Sequence, residues 1–509
     1  MNEPQVLIVG AGPTGLVLAI WLTRLGVPVR IIDKTAEPGT TSRALVVHAR
    51  TLEFYQQIGI AEAAIAAGLH FTAANLWVRG KHAARIEFGP MGKGISPFPF
   101  MLVLPQDHHE RLLVDHLATL GIAVERRTEL LGFADRGDHI EAHLKLPDGT
   151  EETCQAAYIA GCDGARSKVR DVLNPGFPGG TYAHTFYVAD VEAAGPISNG
   201  ELHVAFDDAD FIASFPMQGS GCARLVGAVR QDAENRQAEL TWNDVSPEIL
   251  AQLSLNVTKV NWFSTYHVHH RVAAYFRKDR AFLLGDAAHL HSPVGGQGMN
   301  TGIGDAVNLA WKLAWVLHGR ATPRLLDTYE PERIAFARRL VATTDRAFSI
   351  VTSNGPIARF VRLNIVPHLV PALMRLNAVR RFAFRTLSQT ELNYRHSPLS
   401  RGTAAPLAGG DRLPWAATNA KPEAPDNFTP LHALTWQVHA YGTPNPELST
   451  LCENRGLTLH AFPWRAAGTK NGLRENMAYL VRPDGYIAFA GAEANSLATY
   501  LDEWGLRQQ

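Results

Sequence analysis

Residues 6 to 33 constrain the fold more than any other stretch of the chain. Val6-Leu7-Ile8-Val9 is an unbroken apolar run of strand length, and Gly10-Ala11-Gly12-Pro13-Thr14-Gly15 follows it at once. Leu16 to Leu25 continues as an apolar helix closed by Gly26, and Val27 to Ile32 is a second strand ending in Asp33. The order is strand, GxGxxG turn, helix, strand, acid, which opens a Rossmann-type βαβ unit. Gly10 makes the turn, Gly12 lets a pyrophosphate approach the backbone, and Gly15 lets the helix pack on the strand. Thr14 lies at the helix N-terminus, where free N–H groups favour phosphate. Asp33, with Lys34 beside it, is placed to accept from a ribose hydroxyl. The motif predicts dinucleotide binding and leaves FAD and NAD both open.

Two later stretches repeat the theme. Ala281-Phe282-Leu283-Leu284 reads as a buried strand, broken by Gly285-Asp286. A loop with Pro293, Gly295, Gly296, Gly298 and Gly302 follows, and a helix is expected from Asp305 to Ala314. Glycines let main-chain N–H groups crowd a flat or anionic ligand, and a helix N-terminus favours negative charge. A tight structural loop is the plainer reading of this stretch alone. Earlier, Tyr158 to Gly161 is an apolar strand leading to Asp163-Gly164, then to a basic helix from Ser167 with Arg170. Asp163 suits ribose or ribityl hydroxyls, and Arg166 and Arg170 suit phosphate. An ordinary Asp-Gly turn is the alternative.

GDAAH at 285–289, followed by PxGGQGxNxGIxDAxNLxWKL at 293–313, resembles the second FAD fingerprint of the single-component flavoprotein aromatic hydroxylases, the para-hydroxybenzoate-hydroxylase-like family. TSRALVVHARTLE at 41–53 resembles that family's next block, with Arg43 along the FAD pyrophosphate and near the flavin. The resemblance assigns the ribityl chain to Gln106 and Asp286, and FAD contacts to Asp163 and Gly285. Main-chain groups near Gly296, Gly298, Met299 and Asn300 meet the flavin pyrimidine, and Pro293 walls the side where oxygen reacts. Pro293, Arg43 and Tyr266 are the candidate catalytic residues, Tyr266 as a hydrogen-bonding group in the pocket.

The resemblance implies an α/β fold with a Rossmann-type FAD-binding domain at 1–180 and 270–400. An inserted antiparallel sheet at 181–269 forms the substrate domain. A thioredoxin-like C-terminal domain at 403–509 lacks CxxC, because Cys452 is the only cysteine after Cys222. The strands at 71–100 are assigned to the nucleotide domain, and the Pro/Gly-rich stretch at 402–414 to a linker. Deletion of 403–509 is then expected to change solubility or assembly, a homodimer included, and to leave FAD binding largely intact. The implied activity is hydroxylation of a small phenolic or polycyclic aromatic substrate through a C4a-hydroperoxyflavin, with O2 and with NADPH or NADH as transient co-substrate. No second strand–GxGxxG–helix unit exists to hold a nicotinamide permanently. A flavin oxidase or dehydrogenase on the same fold, and a non-catalytic FAD protein, are the rival readings.

Composition narrows the partners. Lys plus Arg and Asp plus Glu stand at 48 each, which gives no whole-chain electrostatic case for nucleic acid or an anionic membrane. Four cysteines without metal or CxxC spacing suggest a reducing, cytoplasmic setting. No apolar run is long enough for a membrane span, and no signal peptide is expected. NWFSTYHVHHR at 261–271 holds His267, His269 and His270, but no carboxylate or cysteine accompanies them, so no metal site is expected.

Overall fold

The structure is a computed structural model that describes residues 4–39, 44–195, 199–206, 211–219, 221–229, 240–352, 355–417, 426–464 and 471–507. β1 (Val6–Val9) is buried throughout, and α1 (Pro13–Arg24) follows the glycine turn with Pro13 in its first turn. Proline is preset for that position, where its missing N–H has no helical partner in any case. β2 (Val29–Asp33) pairs in parallel with β1. α2 (Ala49–Ile58), β3 (Ala73–Val78), β4 (Lys81–Glu87) and α3 (Gln106–Thr119) come next. β5 (Tyr158–Gly161) joins β1 on its other side, and α4 (Lys168–Leu173) follows. β6 (Gly179–Ala194), β7 (Leu202–Phe206), β8 (Phe211–Pro216), β9 (Cys222–Ala228) and β10 (Asn256–Val272) build the second sheet. β11 (Ala281–Leu283) returns to the first sheet, whose order is Arg277–Lys278, β11, β5, β1, β2, Glu125–Arg126.

The second sheet runs His289–Leu290, β10, β6, β9, β8, β7, β3, β4. It is therefore wider than residues 181–269. β3 and β4 belong to it rather than to the nucleotide sheet, and β3 pairs in parallel with β7. Alternation along residues 73–87 identified strands but could not identify a partner so far away in sequence.

α5 (Gln297–Leu317) starts eight residues before the expected Asp305. Glycines read as loop signals are here helical. A Cβ at Gly302 would sit 2.3 Å from the Thr14 hydroxyl oxygen, and one at Gly304 would sit 3.1 Å from an Arg333 guanidinium nitrogen. Each helical glycine costs about 1 kcal/mol relative to alanine. Here the absent side chains let α5 lie directly against α1 and against α6 (Tyr329–Thr352). Further on, α7 (Val366–Met374) packs over the second sheet, and α8 (Asn377–Leu387) follows it, with Phe384 against Gly92.

The C-terminal unit contains β12 (Gln437–Tyr441), β13 (Thr458–Phe462), β14 (Ala478–Val481) and β15 (Ile487–Gly491). Its order is Leu407–Ala408, Arg401–Ala404, β15, β14, β12, β13. β12 and β13 are parallel, while β14 is antiparallel to both of its neighbours. The stretch expected as a linker thus supplies two strands, and Arg401 pairs with Phe489.

Nor is this unit loosely attached. Arg482, fully buried, donates to both carboxylate oxygens of Glu332 at 2.9 and 3.0 Å. Asp484 accepts from the Trp311 indole at 3.1 Å, and Trp436 meets Trp311 edge-on at 5.4 Å. Buried Arg412 donates to Glu53 on α2, one bond being 2.9 Å. These contacts argue against FAD binding surviving deletion of 403–509, because Glu53, Trp311 and Glu332 lie in the nucleotide-binding half.

Candidate active site

The three glycine-bearing stretches meet at one place. Gly10, at φ +103°, lies so close to the third stretch that a Cβ there would sit 2.4 Å from the Cys162 carbonyl oxygen. A Cβ at Gly15 would sit 2.0 Å from the Gly10 carbonyl oxygen. Thr14 faces the GD turn, and a Cβ at Gly285 would be 2.8 Å from its hydroxyl. Gly12 differs from all of these. Its φ of −76° and ψ of 179° suit any residue, and a Cβ there would meet nothing within 4 Å. Chain packing does not require this glycine, so the open space before it fits a ligand's pyrophosphate. No side chain caps α1, and none caps α5, so both N-termini keep free N–H groups for an anion or a flavin carbonyl. The residues present therefore fit FAD.

The other predicted cofactor residues border this space with varied tasks. Asp33 accepts from the Ala11 N–H at 2.7 Å and from Thr35, and Lys34 is exposed beside it. Gln106 accepts from the Ala44 N–H at 3.1 Å and donates to Glu110 at 2.8 Å. Glu110 in turn accepts from the Gly39 N–H at 2.9 Å. Glu110 and Gln106 thus bind Gly39 and Ala44, and Arg43 itself lies outside the described residues. Asp163 caps α4, accepting from the Ser167 hydroxyl at 2.5 Å and the Lys168 N–H at 2.6 Å. Burial nevertheless pushes its carboxyl up from the ordinary range. Arg166 is exposed, whereas Arg170 donates to the carbonyls of Ala165 and Ala287, so it braces the GD turn rather than facing open space. Asp286 and Pro293 are exposed.

The flavin-loop stretch is held by residues the sequence reading passed over. The Asn300 amide accepts from the His48 N–H at 2.9 Å and the Thr51 hydroxyl at 2.7 Å, and it donates to the carbonyls of Val46 and Gly296. His48 Nε2 lies 2.8 Å from the Gly295 carbonyl oxygen. His291 Nδ1 bonds the Ser292 carbonyl at 2.9 Å. The Tyr55 hydroxyl is 2.5 Å from His109 Nε2, whose Nδ1 is 3.2 Å from Met299 Sδ. A phenol and a thioether on its two nitrogens suit a neutral His109, while at His48 and His291 burial outweighs the carbonyl bonds, which favour the charged form. Burial pushes His48, His109 and His291 down to about 4. Beneath them Asp305 accepts from Gly285, His289 and Arg333. Burial would raise its carboxyl, but Arg333 and His289 hold it below the ordinary range. Only histidine spacing near a glycine loop could have signalled this ring of contacts.

A pH dependence follows. The folded chain keeps these three imidazoles neutral, while the unfolded chain takes up protons below about pH 6.5. Their stabilisation is complete above that value and is lost as pH falls toward 4, at about 1.4 kcal/mol per pH unit for each histidine. The thermal midpoint of the holoenzyme should fall steeply below about pH 6, with release of fluorescent flavin. A midpoint constant from pH about 7 to 4.5 would refute this.

The second sheet presents two unlike faces. Tyr187, Ala189, Ile212 and Leu225 pack beneath Val245, Ile249 and Leu253 and are sealed. On the other face, register aligns Phe186 with Tyr266 and Ala228, and Val188 with Ser264 and Val226. Ala213 continues the Val188 row on β8, and Phe215 pairs with Arg224, whose buried guanidinium is bonded to Asp190 on the same face. Directly paired residues share a face, and Ala213, Phe215, Val226, Ala228, Ser264 and Tyr266 are only half-buried. One border of this face packs on Leu45 and Val46, and Val46 touches the flavin loop, 3.0 Å from where a Gly296 Cβ would be. The opposite border packs under Leu363, Val370 and Met374. Tyr266 lies on this face, 6.1 Å ring to ring from Phe186.

Known proteins share these features. The family described as FAD binding domain matches residues 3–344. The chain is 38% identical over 418 residues to 6-methylpretetramide 4-monooxygenase of Streptomyces rimosus, covering 80% of this chain and 73% of that one. It is 31% identical to the rifampicin monooxygenase of Rhodococcus hoagii, over 98% of each. Among solved structures, the OxyS anhydrotetracycline hydroxylase from Streptomyces rimosus superposes with a TM-score of 0.79 at 27% identity, over 99% of this chain and 100% of that one. With a pyrophosphate turn that chain packing leaves open, and relatives of this kind over nearly its whole length, the chain belongs to the FAD-binding-domain family and is one of its flavoprotein monooxygenases.

Proposed function

We propose that this monooxygenase hydroxylates an electron-rich polycyclic phenol, using O2 and a reduced nicotinamide that binds only transiently. The observation that carries the reading is the open sheet face. Small residues, Ala213, Val226 and Ala228, lie between Phe215 on one side and Phe186 and Tyr266 on the other. A floor of small residues edged by rings suits an aromatic ligand. Relatives named for 6-methylpretetramide, rifampicin and anhydrotetracycline favour fused rings, whereas one named for pentachlorophenol, 34% identical over 69% of this chain, favours a single ring.

FAD, when bound, supplies the redox chemistry, taking electrons from the nicotinamide and activating oxygen. The chain's own residues position and shield it. The α5 N–H groups from Gln297 to Asn300 would receive the ring's carbonyl edge, and Asp286 would take ribityl hydroxyls. Gln106 and Asp33 would meet the ribityl and ribose hydroxyls, and Arg43 the pyrophosphate. Pro293 would exclude water where the substrate ring approaches. Tyr266 would hydrogen-bond a phenol of the substrate. Residues 403–509 form a thioredoxin-like unit in this reading, with a structural task and no dithiol. The buried free thiols of Cys154, Cys162 and Cys452 suit a reducing, cytoplasmic setting.

The test is the anaerobic rate at which NADPH or NADH bleaches the bound flavin, with and without single-ring phenols and polycyclic phenols. Polycyclic phenols should accelerate bleaching most, with a hydroxylated product once O2 is admitted. Failure of every phenol to change the rate would count against the reading. Tyr266→Phe should raise KM for the accelerating phenol roughly tenfold, about the worth of one hydrogen bond, and leave flavin content unchanged.

A further inference from the structure

The helices that roof the sheet carry a second apolar face, turned away from the protein. Pro356–Phe360, the π turn Val361–Ile365 and α7 run as one continuous helical segment. Its inner side buries Leu363 and packs Val370 and Met374 on the sheet. Its outer side leaves Ile357 80%, Phe360 59%, Leu369 50% and Leu373 41% exposed, and Leu376 at 55% and Phe382 at 66% continue the patch onto α8. Leu369 and Leu373 lie one helical turn apart on one side, and Leu376 follows in the turn before α8. A patch of this extent on a water-soluble surface marks an interaction site.

Charge identifies the partner. Between residues 346 and 390 the chain has seven arginines and no aspartate or glutamate, although the whole chain balances at 48 against 48. Among the described residues, Arg375, Arg380 and Arg381 pair with no carboxylate, while Arg385 lies 3.8 Å from Glu391, just beyond the block. A symmetric dimer through this face would set the basic block against itself, which like-charge repulsion opposes. An apolar stripe edged with arginines is instead what lies flat in an anionic headgroup layer. No described helix is long and apolar enough to cross a membrane.

We propose that the outer face of residues 356–387 docks the enzyme on an anionic lipid surface, lying in its headgroup region without crossing it. Such docking would set the roof of the sheet face against a layer into which apolar ring compounds partition. That last consequence rests on the proposed substrate site; lipid docking itself does not.

The test is flotation of the holoenzyme with phosphatidylcholine vesicles, alone and with added phosphatidylglycerol. Binding should require phosphatidylglycerol and weaken with salt. Arg375→Ser with Arg380→Ser should weaken it roughly thirtyfold, at about 1 kcal/mol per basic side chain near the surface. Leu369→Ser with Phe382→Ser should weaken it by on the order of tenfold or more. Bound-flavin absorbance in each variant reports that the fold is kept. Absence of binding to anionic vesicles at low salt would overturn the proposal, as would equal binding to phosphatidylcholine alone. A dimer that the Leu369→Ser and Phe382→Ser variant splits, without vesicle binding, would overturn it in favour of self-docking. Capture of an acidic protein without vesicle binding would do so in favour of that partner.

Discussion

A chain ending at residue 402 is expected to yield insoluble protein without flavin, although every nucleotide fingerprint lies upstream of that point. Glu332 is fully buried and accepts from Arg482, Lys312, Asn308 and Ser397. Burial alone would push its carboxyl up; Arg482 and Lys312 hold it well below the ordinary range. Truncation removes Arg482 and Asp484 together, exposes Trp311 where Trp436 packed, and strips Arg412 from Glu53. Breaking one side of a buried ion pair costs about 3–5 kcal/mol, and two such groups would lose partners at once. A whole domain is stable by only about 5–15 kcal/mol. Arg482→Met isolates the larger loss. Among the described residues it leaves Glu332 with Lys312 as its sole cationic partner, and Asp484 without the guanidinium. The full-length variant should lose on the order of 4 kcal/mol, read as a lowered thermal midpoint and reduced flavin content in purified protein. A soluble fragment 1–402 that keeps one flavin per chain would show that the C-terminal unit is an appendage after all.

The legible part of this molecule is the part written in neighbouring residues. Strand, glycine turn, helix and acid at residues 6–33 are local instructions, and so are the GD and DG turns. Their convergence on Thr14 and Gly10 followed from the family resemblance and not from spacing. What stayed hidden depends on distance or on burial. The pairing of Leu202–Phe206 with Ala73–Val78 joins segments over a hundred residues apart. Gly302 looked like a breaker because nothing in a sequence says that another helix, carrying Thr14, lies against it. His48, His109 and His291 are unremarkable residues until burial makes them neutral supports of the loop. The arginine block at 346–390 vanished in a whole-chain charge of zero. Arg482 and Glu332 sit in segments without a motif, so their pairing could only be seen in three dimensions.

Gly12→Ala and Gly15→Ala, in one turn, should fail for different reasons. At Gly15 the new methyl would meet the Gly10 carbonyl oxygen at 2.0 Å and the Cys162 Cβ at 3.2 Å. Backbone is on one side and a core side chain on the other, so α1 must move off β1. Overpacking of this kind costs about 1–3 kcal/mol or more, and it acts whether or not flavin is bound. At Gly12 the backbone is already extended and the methyl would meet nothing. The apoprotein should then unfold at the parent's temperature. The penalty appears only with FAD, whose pyrophosphate would have to share that space: about 3 kcal/mol, or roughly a hundredfold in Kd. Because a ligand bound only by the folded state raises its midpoint, both holoenzymes would melt early and look alike. Apoprotein melting and FAD titration by fluorescence quenching separate them. Parent-like FAD affinity in Gly12→Ala would remove the pyrophosphate from this turn, and an early-melting Gly12→Ala apoprotein would make the glycine structural.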